Sequence, residues 1–186
     1  MIIYRAKILV KIVSGVVGVI VVALLVVLIG SEPNADQVSR SPLLGKPAPS
    51  VSSSTIDGEP FVLERRKGSW VVLNFFNSTC VPCINEHPLL VDFVKREASN
   101  PNRAELFTVV NDDDDDSVRA FFSKNGGSWP LLKDDNGAIA VAFGVARVPE
   151  TWIIDPNGVV RVRITGELSE GLLGAQLDKL RNEFTS

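Results

Sequence analysis

Short apolar runs alternate with amphipathic stretches along most of the chain, and one long apolar run stands apart near its start. Ile12–Ile29 (IVSGVVGVIVVALLVVLI) is 18 residues without a charge. As a helix it would cover about 27 Å of a bilayer core roughly 30 Å thick, and Lys11 can snorkel so that Ile8–Val10 extend the span. Arg5, Lys7 and Lys11 precede the run, whereas Glu32 and Asp36 follow it. The positive-inside bias therefore places residues 1–11 in the cytoplasm, 12–29 in the bilayer and the remainder outside. A cleaved signal peptide is the alternative. Its apolar region is usually about 7–15 residues and ends in small residues; this run is longer, and Leu28-Ile29-Gly30-Ser31 makes a poor cleavage site, which favours an uncleaved single-pass anchor.

Residues 30–43 (GSEPNADQVSRSPL) are polar, lack apolar periodicity and read as a linker. Residues 44–186 then form one domain of 143 residues, enough for a single core. Phe61–Leu63 follows the turn Asp57-Gly58, and Trp70–Phe76 (WVVLNFF) is the continuous apolar run of a buried strand. A helix is expected from near Cys80 to Glu97, a second buried strand at Leu106–Val110, a helix at Ser117–Asn125 capped by Asp116 or Ser117, and a short helix at Gly137–Phe143. Thr151–Asp155 and Val159–Thr165 flank the turn signal Asp155-Pro156-Asn157-Gly158, and Ser169–Phe184 has an amphipathic period. The order β-β-α-β-α-α-β-β-α predicts an α/β domain with a mixed sheet and helices on both faces, because parallel strands need helical crossovers.

Composition narrows the chemistry. Mean hydropathy is +0.19, and its excess comes from the first apolar run. Without residues 1–30 the chain carries 16 Lys and Arg against 22 Asp and Glu, a net charge of −6. Such a domain is unsuited to non-specific nucleic-acid binding, and acidic lipid surfaces repel it; a basic or cysteine-bearing polypeptide is the more natural partner. Two cysteines and one histidine leave no room for a zinc module built on three or four cysteines, or for a multi-disulfide scaffold.

Both cysteines fall in Cys80-Val81-Pro82-Cys83, just past a buried strand and at the opening of a helix, where reactive groups collect in such sheets. The i, i+3 spacing on a first helical turn brings two sulfurs to disulfide distance. Free amides and the helix dipole favour a thiolate on Cys80. Cys80 at the tip is then the exposed nucleophile, and Cys83, one turn in, resolves the mixed disulfide. Pro82 suits the first turn, where no amide bond is lost, and Asn77, Ser78 or Thr79 can supply the cap. Zinc would need two further ligands with only His87 close by, and haem attachment needs His where this chain has Ile84. Gly45-Lys46-Pro47-Ala48-Pro49 suggests a peroxidatic cysteine, but such sites carry Thr where Asn77 stands. A structural disulfide stays open, although so short a loop constrains little unfolded-state entropy.

Val72–Leu90 (VLNFFNSTCVPCINEHPLL) resembles the active-site segment of membrane-anchored thioredoxin-like reductases, the DsbE/CcmG type of thiol:disulfide interchange protein in particular. The Cys-x-x-Cys-x-x-Glu-His-Pro-x-Leu pattern is matched by Cys80, Cys83, Glu86, His87, Pro88 and Leu90. A second block, Gly144-Val145-Ala146-Arg147-Val148-Pro149-Glu150-Thr151, resembles that group's Gly-Val-x-x-x-Pro-Glu-Thr, whose proline is cis and faces the disulfide. The resemblance implies a thioredoxin fold behind one transmembrane helix, a bacterial inner-membrane protein with a periplasmic domain, and a redox-active disulfide with no bound cofactor or metal. It also implies apocytochrome c or its maturation partners as substrate and a DsbD-type membrane thiol reductase as electron donor. Cis geometry at Pro149 would expose the backbone of Val148 to an extended partner strand.

Thioredoxins carry a buried Asp where this chain has Asn74, as is usual in the anchored reductases. Proton handling then falls to Glu86, one helical turn beyond Cys83, with Glu150 as a second candidate; a solvated helix carboxylate is the alternative for Glu86. Thr79 stands where most relatives have Trp, which removes an apolar surface beside Cys80. His87 is expected to pack rather than react, with Pro88 kinking its helix. Asp112–Asp116 falls on the same sheet edge as Cys80 if the two central strands are parallel. The run is either a solvated loop capping the next helix or a negative field on the thiols. A TlpA-type reductase serving copper-site or oxidase assembly, and a non-enzymatic anchored adaptor, are the rival functions.

Overall fold

The computed structural model describes residues 15–24 and 37–184. Residues 15–24 are helical, with Val16, Val19 and Leu24 exposed. The expected anchor at 12–29 lies in part outside the described residues, as do the expected cytoplasmic segment 1–11 and the first half of the linker. Among the described residues no helix is long and apolar enough to cross a membrane.

The chain from Asp36 onward forms a compact unit of its own. A small hairpin, β1 (Ser52–Ser54) with β2 (Pro60–Val62), leads through a 3-10 turn at Leu63–Arg66 into β3 (Trp70–Phe76). There follow α1 (Val81–Ala98), β4 (Ala104–Val110), α2 (Asp115–Asn125), β5 (Leu131–Lys133), α3 (Ala138–Phe143), β6 (Glu150–Ile154), β7 (Val160–Thr165) and α4 (Leu172–Phe184). The five-stranded sheet runs β5-β4-β3-β6-β7, with β3 parallel to β4, β4 parallel to β5, and β6 antiparallel to both β3 and β7. This is the mixed sheet of a thioredoxin fold.

Alternation along β3 builds two cores. Trp70, Val72 and Phe76 pack with Cys83, Leu90 and Phe93 of α1, Val118 and Phe122 of α2, and Leu173 and Leu177 of α4. Val71, Leu73 and Phe75 meet Phe61, Ile139, Phe143 and Trp152 on the other face. The apolar run of β3 reads continuously because both faces are covered. Asn74 is its single polar residue, fully buried among these side chains.

Three local expectations change. β1 and β5 are additional strands of three residues each. The cap of α2 is Asp114, whose Oδ1 accepts from the Ser117 amide at 2.9 Å, so the helix starts two residues before Ser117. Residues 37–43, expected to be free linker, belong to the domain. Val38 bridges Ile164, the Ser39 amide donates to the Arg163 carbonyl and the Thr165 amide to the Gln37 carbonyl, so the segment covers the open edge of β7. Unpaired edge groups favour such cover, which hydropathy does not reveal.

Candidate active site

The end of β3 delivers the chain into the tight turn Asn77–Cys80. Asn77 Oδ1 accepts from the Thr79 amide at 2.9 Å, and Asn77 Nδ2 donates to the Asn111 and Asp112 carbonyls. The Ser78 amide donates to the Asp113 carboxylate. Because β4 is parallel to β3, its trailing acidic loop does stand beside this turn. Within the loop Asp114 caps α2 and Asp115 pairs with Lys133, so its charges hold structure first.

Cys80 itself, rather than Asn77, Ser78 or Thr79, is the cap of α1, and its Sγ accepts from the Cys83 amide at 3.3 Å. Cys80 is bonded to Cys83 in a disulfide with Cα atoms 5.2 Å apart. Cys80 is half-buried and Cys83 has no exposed surface. An outer sulfur at the N-terminus of an 18-residue helix sits where amides and the helix dipole stabilise negative charge. Pro82 occupies the exposed first turn, where no intrahelical amide is lost. The helix runs on through Pro88.

The Val148–Pro149 bond is cis, and the Val148 carbonyl oxygen lies 3.7 Å from Cys80 Sγ. The two motif blocks, far apart in sequence, therefore meet at the sulfur. Exposed Val81 and Ile84 add apolar surface to this end of α1.

Behind the disulfide, Glu86 is 1 % exposed. Its Oε1 accepts from Asn74 Nδ2 and its Oε2 from the Leu168 amide, both at 2.8 Å. Asn74 Nδ2 also reaches Thr151 Oγ1 at 3.1 Å. Burial raises the Glu86 carboxyl to about 7, against the two donors that favour its anion, with Glu167 adding to the rise. An Asp at position 74 would set a second carboxylate against the first; Asn74 supplies a donor instead. A solvated carboxylate is excluded by this burial, and the group is poised to exchange protons near neutrality.

Glu150 is placed elsewhere. It neighbours Thr151 along β6, so the two side chains point to opposite faces. Thr151 faces Asn74, whereas the Glu150 carboxylate takes bonds from Arg163 Nε at 2.9 Å and Nη2 at 2.8 Å. Strand alternation thus removes Glu150 from the cysteine side and makes it a structural ion pair. His87 is buried among Phe121, Phe122 and Trp129, with Nε2 2.9 Å from the Gly126 carbonyl, and burial holds its pKa down. Cys80, Cys83, Glu86, Asn74, Val148 and Pro149 converge. Thr151 and the Leu168 amide complete the group, and the sequence reading missed both. Thr151 could have been found from its alternation with Glu150; a backbone amide in the loop after β7 leaves no sequence signal.

Residues 44–163 match the model of the AhpC/TSA family. The thiol:disulfide interchange protein HelX of Rhodobacter capsulatus is 33 % identical over 153 residues, which span 81 % of this chain and 82 % of that protein. The thiol:disulfide interchange protein DsbE homolog of Paracoccus denitrificans is 31 % identical over 131 residues, 69 % of each chain. A solved thiol:disulfide interchange protein of the thioredoxin family from Chlorobium tepidum superposes with a TM-score of 0.65 at 25 % identity, over 76 % of this chain and 98 % of that one. With a helix-capping disulfide beside a cis-proline, the chain belongs to the thioredoxin-like AhpC/TSA family and is a thiol:disulfide oxidoreductase.

Proposed function

We propose that the protein is a reductant, anchored in the bacterial inner membrane through residues 12–29, whose periplasmic domain reduces apocytochrome c disulfides before haem attachment. The observation that carries the chemistry is the ordering of three groups along α1: an outer sulfur at the helix tip, an inner sulfur one turn later, and a buried carboxyl one turn beyond that. The similarity to proteins named DsbE and HelX, and the match to their motif in Glu86, His87 and Pro88, support the cytochrome assignment.

In the reduced enzyme the Cys80 thiolate attacks one sulfur of a substrate disulfide. That S–S bond breaks, the departing substrate thiolate takes a proton from water, and Cys80 is left in a mixed disulfide. Glu86 then accepts the Cys83 proton, directly or through a water. The Cys83 thiolate attacks Cys80 Sγ and expels the second substrate sulfur as a thiolate, which takes a proton from water, while Glu86 returns the Cys83 proton to solvent. Two electrons have passed to the substrate and Cys80–Cys83 is oxidised. Val148, next to cis-Pro149, offers main-chain groups to an extended substrate beside the reacting sulfur. The electrons reside in the cysteine pair, so no bound cofactor is invoked. An oxidising compartment does not restore the thiols, and a membrane thiol reductase of the DsbD type does so.

Replacing Cys83 with Ser removes the resolving step and traps mixed disulfides at Cys80. Apocytochrome c among the captured proteins is the expected result; capture of a copper-site protein in its place would transfer the function to copper-site or oxidase assembly.

A further inference from the structure

The loop that leaves β7 touches both halves of the site. The Gly166 amide donates to the carbonyl of cis-Pro149 at 3.0 Å, and two residues on the Leu168 amide donates to Glu86 Oε2 at 2.8 Å. Asn85, the residue before Glu86, donates through Nδ2 to Glu167 Oε2 at 3.1 Å. Residues 166–169 therefore act as a strap across the cis-proline and the buried carboxyl.

What holds the strap from outside is Gln37, at the start of the folded domain. Its Nε2 donates to the Glu167 carbonyl, and its Oε1 accepts from Ser169 Oγ at 2.9 Å. Its own carbonyl accepts the Thr165 amide at 2.8 Å, and two residues later Ser39 Oγ lies 2.6 Å from Thr165 Oγ1. One side chain thus grips the strap on both sides of Leu168 while its backbone is fixed to β7. A glutamine has the reach and the paired donor and acceptor that this needs.

The structure assigns Gln37 as a positioning residue of the redox site: it clasps the 166–169 strap and through the Leu168 amide fixes the Glu86 carboxyl against Asn74. The consequence for thiol exchange rests on the role given to Glu86 under Proposed function. The fixing itself does not. In the disulfide form Cys83 does not titrate, so the charged neighbour of Glu86 is Glu167 on the strap; β3 presents the uncharged Asn74, which Thr151 of β6 backs through its hydroxyl.

Releasing the clasp loosens a hydrogen bond to the charged form of Glu86 and leaves its burial in place, which moves its titration upward. The test follows the Glu86 carboxyl carbon by NMR across pH in the full-length chain, assigned by its absence in Glu86→Gln. The variants are Gln37→Ala and Gln37→Met, the second keeping the bulk of the side chain without its hydrogen bonds. A native-state titration midpoint is not moved by a change in global stability alone. Both variants are expected to raise the midpoint by about half a pH unit or more. A midpoint unmoved in both variants, or moved in Gln37→Ala and restored in Gln37→Met, overturns the assignment. Thiol exchange in the same variants separates the two ideas. If the midpoint rises but exchange ignores both Gln37→Ala and Glu86→Gln, the clasp stands and the proton-acceptor role of Glu86 falls.

Discussion

Glu86 is where burial, hydrogen bonding and charge meet on one side chain. A carboxyl raised to about 7 binds more protons in the folded state than in the unfolded one, where its ordinary value is 4.5. The stability this contributes is present below about pH 4.5 and is lost as pH rises through about 7. A shift of that size is on the order of 3 kcal/mol. In Glu86→Gln, urea unfolding at pH 5 and pH 8 should show a correspondingly flatter dependence of stability on pH, even though the amide forfeits one of the two donors it faces. The same variant should release substrate from the mixed disulfide roughly tenfold more slowly or worse at pH 8, because the internal base is gone. Stopped-flow kinetics check this, and an unchanged rate returns Glu86 to a structural role.

Among the elements, those whose residues carry their own instructions were legible in the sequence. Seven apolar-rich residues make β3, a Cys-x-Pro-Cys turn opens α1, and Asp155-Pro156-Asn157-Gly158 joins β6 to β7. In that turn the buried Asp155 carboxylate accepts from the Asn157 and Val159 amides at 2.9 Å and from Arg161 Nε at 2.7 Å. Asp155→Ala strands these donors and should cost about 2 kcal/mol, seen as a lower urea midpoint with exchange by the folded protein unchanged. Elements defined by their partners were not legible. Three serines become β1 only because β2 lies alongside, Leu131–Lys133 is too short to show a period, and Gln37–Ser39 looks like linker until β7 offers an open edge. Within the site, Cys80 and Cys83 were visible through their spacing, and Glu86 and Pro149 through the resemblance of their blocks to the anchored reductases. The misplacement of Glu150 arose where strand alternation outweighs proximity in sequence.

At the scale of the whole molecule, the sheet order brings two distant motif blocks and the strap after β7 to the N-terminal end of α1. The segment next to the expected anchor is stitched onto the same edge of the domain, so the site draws on both ends of the folded chain. A net charge of −6 outside the first 30 residues suits encounter with a basic or cysteine-bearing polypeptide, as the proposed function requires. With two cysteines in all, the chain holds no third thiol to reduce the pair, so the proposed reductant would draw its electrons from a partner thiol in each cycle. The central claim, that Cys80–Cys83 is a reductant, is tested most directly by the reduction potential of the pair, measured by equilibration with thiol buffers at pH 7. A value between about −270 and −200 mV, the range of thioredoxins and glutaredoxins, is predicted; a value below about −300 mV, that of a structural disulfide, would contradict it.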